Sequence, residues 1–150
     1  AAGLEDRVAL PGHCDDMPAA FALARVALIA STSAETFGRT SIEAQAMGCP
    51  VIVSDIGAAP ETIVPAAADP QGFTGWVVPC NDATAIAAKV AEALALAPEA
   101  YAALGERARR HATARFALRE MQRATLAVYD GLLGTELAAR FGAQAERAYT

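Results

Sequence analysis

The run Pro50-Val-Ile-Val-Ser54 constrains the fold of this chain more than any other feature. It is apolar nearly throughout and reads as a buried strand. It also follows directly on Gly48-Cys49: Gly tolerates the left-handed conformation that ends a helix, and Pro cannot continue one. A helix stop and a buried strand therefore stand back to back, and the same alternation recurs along the chain. Strands are expected at Arg7–Leu10, Val26–Ala30, Val51–Ser54 and Gly75–Val78. Helices are expected at Met17–Arg25 and Thr40–Met47, with a helical turn at Pro60–Val64. Asp82 should cap a helix carrying Ile86, Val90 and Leu94 on one face. Further helices should run from Pro98 to about Thr113 and over Leu118–Leu133, with 135–150 as a last helix or a frayed tail. Such alternation indicates an α/β domain with a parallel sheet. Ligands of such sheets sit outside the carboxyl ends of the strands, which gathers Glu35, Gly57, Glu61 and Pro79–Asp82 on one edge.

The chemistry is concentrated in Glu35-Thr-Phe-Gly-Arg-Thr-Ser-Ile-Glu43, which places two carboxylates around a Phe-Gly turn that opens a helix. Thr40 or Ser41 is expected to cap that helix, since a hydroxyl accepts a bond from a free N–H. A helix start favours an anion such as a phosphate. Carboxylates accept hydrogen bonds from hydroxyls, in which sugars are rich. A phosphate and several hydroxyls together describe a nucleotide-sugar.

Five ordered blocks extend this segment. They are Val8-Ala-Leu-Pro-Gly12 with Asp15, the Glu35–Glu43 segment, Ala46 and Gly48 before Pro50-Val-Ile52, Gly57 with Glu61, and Thr74-Gly-Trp-Val-Val-Pro79 with Asp82. Together they resemble the donor-binding half of the retaining GT-B glycosyltransferases, family 4 or group 1, over roughly Arg7 to Leu133. The resemblance implies an α/β fold: a Rossmann-like parallel sheet flanked by helices, the C-terminal half of a GT-B fold with its first strands missing. On this reading residues 1–133 form a partial nucleotide-sugar-binding domain and 134–150 a helical tail.

The resemblance also implies roles. Glu35, the catalytic candidate, would accept hydrogen bonds from hydroxyls of the donor sugar. Backbone N–H groups of Phe37, Gly38, Arg39 and Thr40 would hold the sugar and diphosphate, and Glu43 would bond the ribose hydroxyls. Each has a plain alternative: a solvated loop carboxylate for Glu35, and a first-turn Glu favoured by the helix dipole for Glu43. Glu61 lines the nucleotide pocket or merely opens a helical turn. Gly57 is followed by Ala58 where the family has a second glycine, which narrows the backbone there. Arg39 replaces a common aliphatic residue and either reaches the diphosphate or is solvated. Gly12 and His13 fall where the family meets the base, an exposed loop histidine being the alternative. His111 and Trp76 read as structural, and Arg107, Arg109, Arg110, Arg115, Arg119 and Arg123 as a solvated face, an anionic membrane surface being the alternative.

The family's acceptor-binding first domain has no counterpart here, and its Arg and Lys on the donor diphosphate would lie upstream of Ala1. The chain alone is therefore expected to be nearly inactive. Strands numbered 3 to 6 of a 3-2-1-4-5-6 sheet leave Arg7–Leu10 without a neighbour and the Val26 strand with an open edge. A homodimer through that edge, or a displaced first strand, would repair the gap. The implied mechanism needs no metal and no cofactor beyond the nucleotide-diphosphate sugar as substrate. A nucleotide-sugar epimerase and a non-catalytic nucleotide- or protein-binding module are the alternatives. A glycosidase fits poorly, because neither Glu35 nor Glu43 has an evident pocket to raise its pKa.

Composition narrows the partners. A net charge of −5 and a pI near 5.0 argue against nucleic acid. Cys14, Cys49 and Cys80 form neither a disulfide framework nor a zinc pattern and suit a reducing compartment. With no leader-like start and no apolar run long enough to span a bilayer, a cytoplasmic location is expected. Peripheral attachment of the full protein to the inner membrane, and assembly of bacterial surface polysaccharide, would suit the family.

Overall fold

The computed structural model describes residues 3–4 and 6–147. Three parallel strands, β1 (Ala27–Ile29), β2 (Val51–Ser54) and β3 (Gly75–Val78), form a sheet in the order β1-β2-β3. Ala27 pairs with Val51, and Val51 in turn with Gly75. Gly75 is required there, since a Cβ would stand 2.7 Å from the Val51 carbonyl oxygen. All four residues of β2 are buried. Alternate side chains of a strand point to opposite faces, so β2 feeds two cores. Val51 and Val53 join Phe21, Ala44 and Ile63 on one face, whereas Ile52 joins Trp76, Val78, Ala93 and Leu104 on the other. Burial on both faces is the condition under which parallel sheets occur.

Helices α1 (Met17–Leu23) and α2 (Arg39–Ala46) belong to the first core. Asp16 caps α1 by accepting the Ala19 N–H at 2.9 Å. Gly48, at φ 75°, ends α2 as expected. The Cys49 N–H returns to the Ala44 carbonyl at 3.0 Å and the Gly48 N–H to Gln45 at 2.9 Å, which satisfies two free carbonyls of the last turn. Helices α3 (Ala83–Leu94) and α4 (Pro98–Phe116) cover the second core. Asp82 caps α3 through the Ala85 N–H at 2.9 Å. Ile86 and Val90 pack inward as expected, but Leu94 is 55% exposed and Ala93 is buried in its place. α4 also crosses the end of α2, and a Cβ on its Gly105 would lie 2.5 Å from the Gly48 carbonyl oxygen. Trp76 is core, as expected, with its indole N–H donated to Glu92 at 2.8 Å.

α5 (Leu118–Leu133) and α6 (Leu137–Arg147) form a terminal hairpin. The Asp130 carboxylate accepts the Leu137 and Ala138 N–H groups at 2.6 and 2.9 Å and so caps α6 from the facing helix. Residues 148–150 of the expected tail lie outside the described residues. Among the described residues no helix is long and apolar enough to cross a membrane.

The first expected strand is absent. Arg7 and Val8 donate N–H groups to the Leu4 carbonyl in a turn, and Val8 and Leu10 are 60% and 93% exposed. An apolar run becomes a strand only where a neighbour offers a ladder and a core, and Arg7–Leu10 has neither. β1 pairs with β2 alone among the described residues, leaving its outer edge open beside a Leu28 that is 45% exposed.

Two titratable groups, Cys49 in the core and the half-buried His111, make the packing testable. Burial raises the Cys49 thiol to about 11, against a smaller lowering by the Ala27 backbone, whereas Cys14 is exposed. At about pH 8 an alkylating reagent should label Cys14 first and reach Cys49 only on unfolding, since the thiolate is the reactive form; mass spectrometry of the labelled peptides reads the order. Burial also lowers His111 below its ordinary 6.5, with the Arg115 charge acting the same way and the Thr62 backbone opposing. The unfolded chain then binds the proton more tightly, so the stability held above pH 6.5 is lost as pH falls through that value toward the folded pKa. Urea melts of the wild type and His111→Gln from about pH 7 to about pH 5 should show a shallower decline in the variant.

Candidate functional site

The loops leaving the carboxyl ends of all three strands are tied to one another. The Asp55 carboxylate, just past β2, accepts the Cys80 N–H at 2.7 Å, and the Asp55 N–H reaches the Val78 carbonyl at 2.9 Å. The Cys80 thiol lies 3.5 Å from the Ser31 carbonyl oxygen beyond β1. The Ser31 hydroxyl donates to the Glu35 carboxylate, holding that side chain at the sheet edge. Ser31 and Asp55 carry no motif; their position one or two residues beyond a strand is the signal that marks them.

Glu35 and Gly57 meet through their backbones. The Ala58 N–H donates to the Glu35 carbonyl at 2.9 Å. A Cβ on Gly57 would stand 2.5 Å from Glu35 N and 2.6 Å from Glu35 O. Gly57 also has φ 64°, so steric and conformational demands both exclude a side chain there. Ala58, which follows, is in the ordinary right-handed region at φ −83° and meets no such demand. A short 3-10 turn, Ala59–Thr62, then carries the exposed Glu61.

The start of α2 differs from expectation. Gly38, in the left-handed region at φ 81° and ψ 42°, is the N-cap, and no side chain caps the helix. Thr40 and Ser41 lie inside the first turn. Ser41 is buried with its hydroxyl 2.7 Å from Thr62 Oγ1, so it is committed to the core. The first-turn N–H groups, Arg39 and Thr40 among them, keep the uncapped, positive end of the helix dipole at the surface. Glu43 falls in the second turn, and no acidic residue occupies the first, so first-turn dipole stabilisation does not account for Glu43. Its carboxylate is half exposed and 3.4 Å from the exposed Arg39 guanidinium.

Glu43 also borders a cavity of about 460 Å³ between α1 and α2, whose remaining lining is Met17, Pro18, Phe21, Ala46 and Met47. The single carboxylate is thus set against an apolar wall. Phe37 is 54% exposed and meets the ring of Phe116 edge-on at 6.3 Å. A cavity of about 200 Å³ lies on either side of it, one lined by Arg39, Ile42 and Glu43 and the other by Thr36, Ala58, Glu61, Thr62 and Arg115. The structure therefore brings Phe37, Arg39 and Glu43 together, and Phe37 with Glu61. Gly12 and His13 line none of these cavities; Gly12 turns at φ 80° in the open, and His13 bonds Asp15 at 2.9 Å with its side chain 85% exposed. Phe116, Thr62 and the α1 wall were not evident from the motifs, because α4 and α1 reach the site only through tertiary packing.

Comparison with known proteins converges on one family. Residues 1–111 match the family model for glycosyl transferases group 1. The chain is 39% identical over 135 residues to the lipopolysaccharide core biosynthesis mannosyltransferase LpcC of Rhizobium leguminosarum bv. viciae, covering 89% of this chain and 36% of that protein. A glycosyltransferase from Rickettsia africae ESF-5 superposes with a TM-score of 0.78 at 31% identity, over 89% of this chain and 34% of its own. Anabaena Alr3699/HepE, solved in complex with UDP, superposes at 0.73 and 26% identity, over 85% and 34% of the two chains. The chain thus spans about a third of the length of these relatives. It belongs to the group 1 glycosyltransferases and has the parallel α/β architecture of their GT-B fold.

Proposed function

We propose that this chain is the donor-binding domain of a retaining glycosyltransferase, which moves a sugar from a nucleotide-diphosphate sugar to an acceptor held by a first domain. The observation that carries the reading is the uncapped N-terminus of α2, flanked by cavities that Glu43 and Glu61 line, with Glu35 tied to the Gly57 turn at the carboxyl edge of the sheet. The amides of Gly38, Arg39 and Thr40 point their partial positive charge at the diphosphate, and that charge is worth most where it develops on the leaving group. Glu35, held by Ser31, accepts sugar hydroxyls. Glu43 accepts the ribose hydroxyls while the base lies against Met17, Pro18, Phe21 and Met47. Gly57 serves by letting the Glu35 backbone approach, and Glu61 faces the same ligand from the 3-10 turn. UDP in the HepE complex supports a nucleotide ligand, and the name of LpcC supports mannosyl transfer in lipopolysaccharide core assembly. A cytoplasmic location with peripheral membrane attachment fits that role. In the longer protein, cations outside these residues complete the diphosphate site, each charge-assisted bond contributing about 1.5–3 kcal/mol.

Ligand-observed NMR with UDP, GDP, ADP and their sugar conjugates tests the reading. One nucleotide family should bind weakly to the chain, and Glu43→Ala should abolish the signal; a chain that is folded yet silent to every nucleotide would overturn it. Gly57→Ala should lower stability by about 1–3 kcal/mol in urea melts, because Ala must adopt a left-handed φ and displace the Glu35 backbone. The same variant should weaken nucleotide-sugar binding more than binding of the bare nucleotide, since Glu35 faces the sugar.

A further inference from the structure

Beneath the donor loop lies a closed circuit of buried polar groups. Ser41, Gln45 and Thr62 are at most 2% exposed. Thr62 Oγ1 is 2.7 Å from both the Ser41 hydroxyl and the Ala59 carbonyl oxygen. A hydroxyl has one proton and a carbonyl only accepts, so Thr62 donates to Ala59 and Ser41 must donate to Thr62. Gln45 Nε2, 3.2 Å from Ser41 Oγ, donates to Ser41 with one proton and to the Thr62 carbonyl at 2.9 Å with the other. Flipping this amide would set its oxygen against the Ser41 and Thr62 carbonyls, so its orientation is fixed although Oε1 has no partner. The Thr62 methyl closes the circuit on the other side, since a Cβ on Gly38 would come within 3.2 Å of Thr62 Cγ2 and 3.4 Å of Ala59 Cα.

We propose that Ser41, Gln45 and Thr62 are positioning residues that latch the first turn of α2 to the Gly57–Thr62 turn, so that both backbone segments meet one ligand in fixed geometry. An apolar pair would fill the same space but could slide, whereas the donors of this circuit find their acceptors in one arrangement. Ser41 follows Arg39 and Thr40, and Thr62 follows Glu61, so the latch joins the amides proposed for the diphosphate to a carboxylate of the same site. The inference rests on the donor-site reading above.

The test compares the wild-type chain with Thr62→Val, which keeps the shape but strands the Ser41 proton and the Ala59 carbonyl, and with Thr62→Ser, which restores the hydroxyl. Ser41→Ala breaks the circuit at its centre and serves if Thr62→Val fails to fold. Amide hydrogen exchange is read at Ser41, Ala58 and Glu61, whose N–H groups bond Gly38, Glu35 and Ala58. In Thr62→Val and Ser41→Ala these amides should exchange about tenfold faster while those of β2 keep their protection, and Thr62→Ser should recover most of the difference. Affinity for UDP, GDP or ADP, whichever the wild type binds, should fall at least about fivefold in Thr62→Val and return in Thr62→Ser. Exchange that is unchanged, or raised uniformly through β2, would overturn the latch. Faster local exchange with unaltered affinity would overturn the positioning role alone. A wild type silent to UDP, GDP and ADP alike would overturn that role together with the donor reading, and exchange would still decide the latch.

Discussion

The structure depends on the complete burial of β2. Val51, Val53 and Ile52 serve two different cores, and both edges of the strand are bonded to parallel neighbours. A strand in that position has no freedom of register, because a one-residue slip would exchange the contents of the two faces. Its end is fixed as a consequence, and with it the point at which Asp55 and Gly57 emerge. The Asp55 bond to Cys80 and the close approach of Gly57 to Glu35 then transmit that fixed point to both adjacent loops. The functional face is in this sense an extension of the central strand.

Backbone proximity at glycines recurs at the junctions that matter for the site. Gly57 lies against Glu35, Gly38 against the 3-10 turn, and Gly105 of α4 against the carbonyl that closes α2. Gly57 and Gly105 allow two main-chain segments to approach more closely than a Cβ permits, and Gly38 leaves room for the Thr62 methyl. α2 is therefore held at its start by the 3-10 turn and at its end by the backbone of α4, with Arg109 adding a hydrogen bond to the Met47 carbonyl at 3.1 Å. A helix held this way presents its N–H groups in a fixed direction, which a loop stabilised only by side chains would not do.

How much of this was legible in the sequence follows from the range of the interactions. The strands at Val51 and Gly75, the Gly48 helix stop and the Asp82 cap depend on neighbours within a few residues, and local pattern fixed them. Thr40 and Ser41 look like a capping pair for the same local reason. Yet Ser41 is drawn inward by Thr62, twenty-one positions on, and Gly38 starts the helix instead. Arg7–Leu10 carries the composition of a strand and lacks a partner, which no local pattern records. Leu94 keeps helical spacing with Ile86 and Val90 but sits at the helix end, where the face has turned toward solvent. Phe116 pairs with Phe37 across seventy-nine positions, so the wall it adds to the site was invisible before the fold was known.

Charge decides what this face can do within the proposed reaction. A helix N-terminus offers about half a positive unit charge, against a diphosphate bearing at least two negative ones. Glu35, Glu43 and Glu61 add further negative charge at the same edge; of the two arginines lining the cavities beside Phe37, Arg39 is drawn toward Glu43 at 3.4 Å and Arg115 shares its cavity with Glu61. Neutralising a diphosphate is thus the weaker part of what these residues supply. Carboxylates are, by contrast, strong acceptors for sugar and ribose hydroxyls. An apolar wall beside Glu43 adds area for a base without adding charge. Under the proposed reaction, the division of labour that follows would assign recognition of the nucleoside and sugar to these residues, and most of the countercharge for the leaving group to cations outside them.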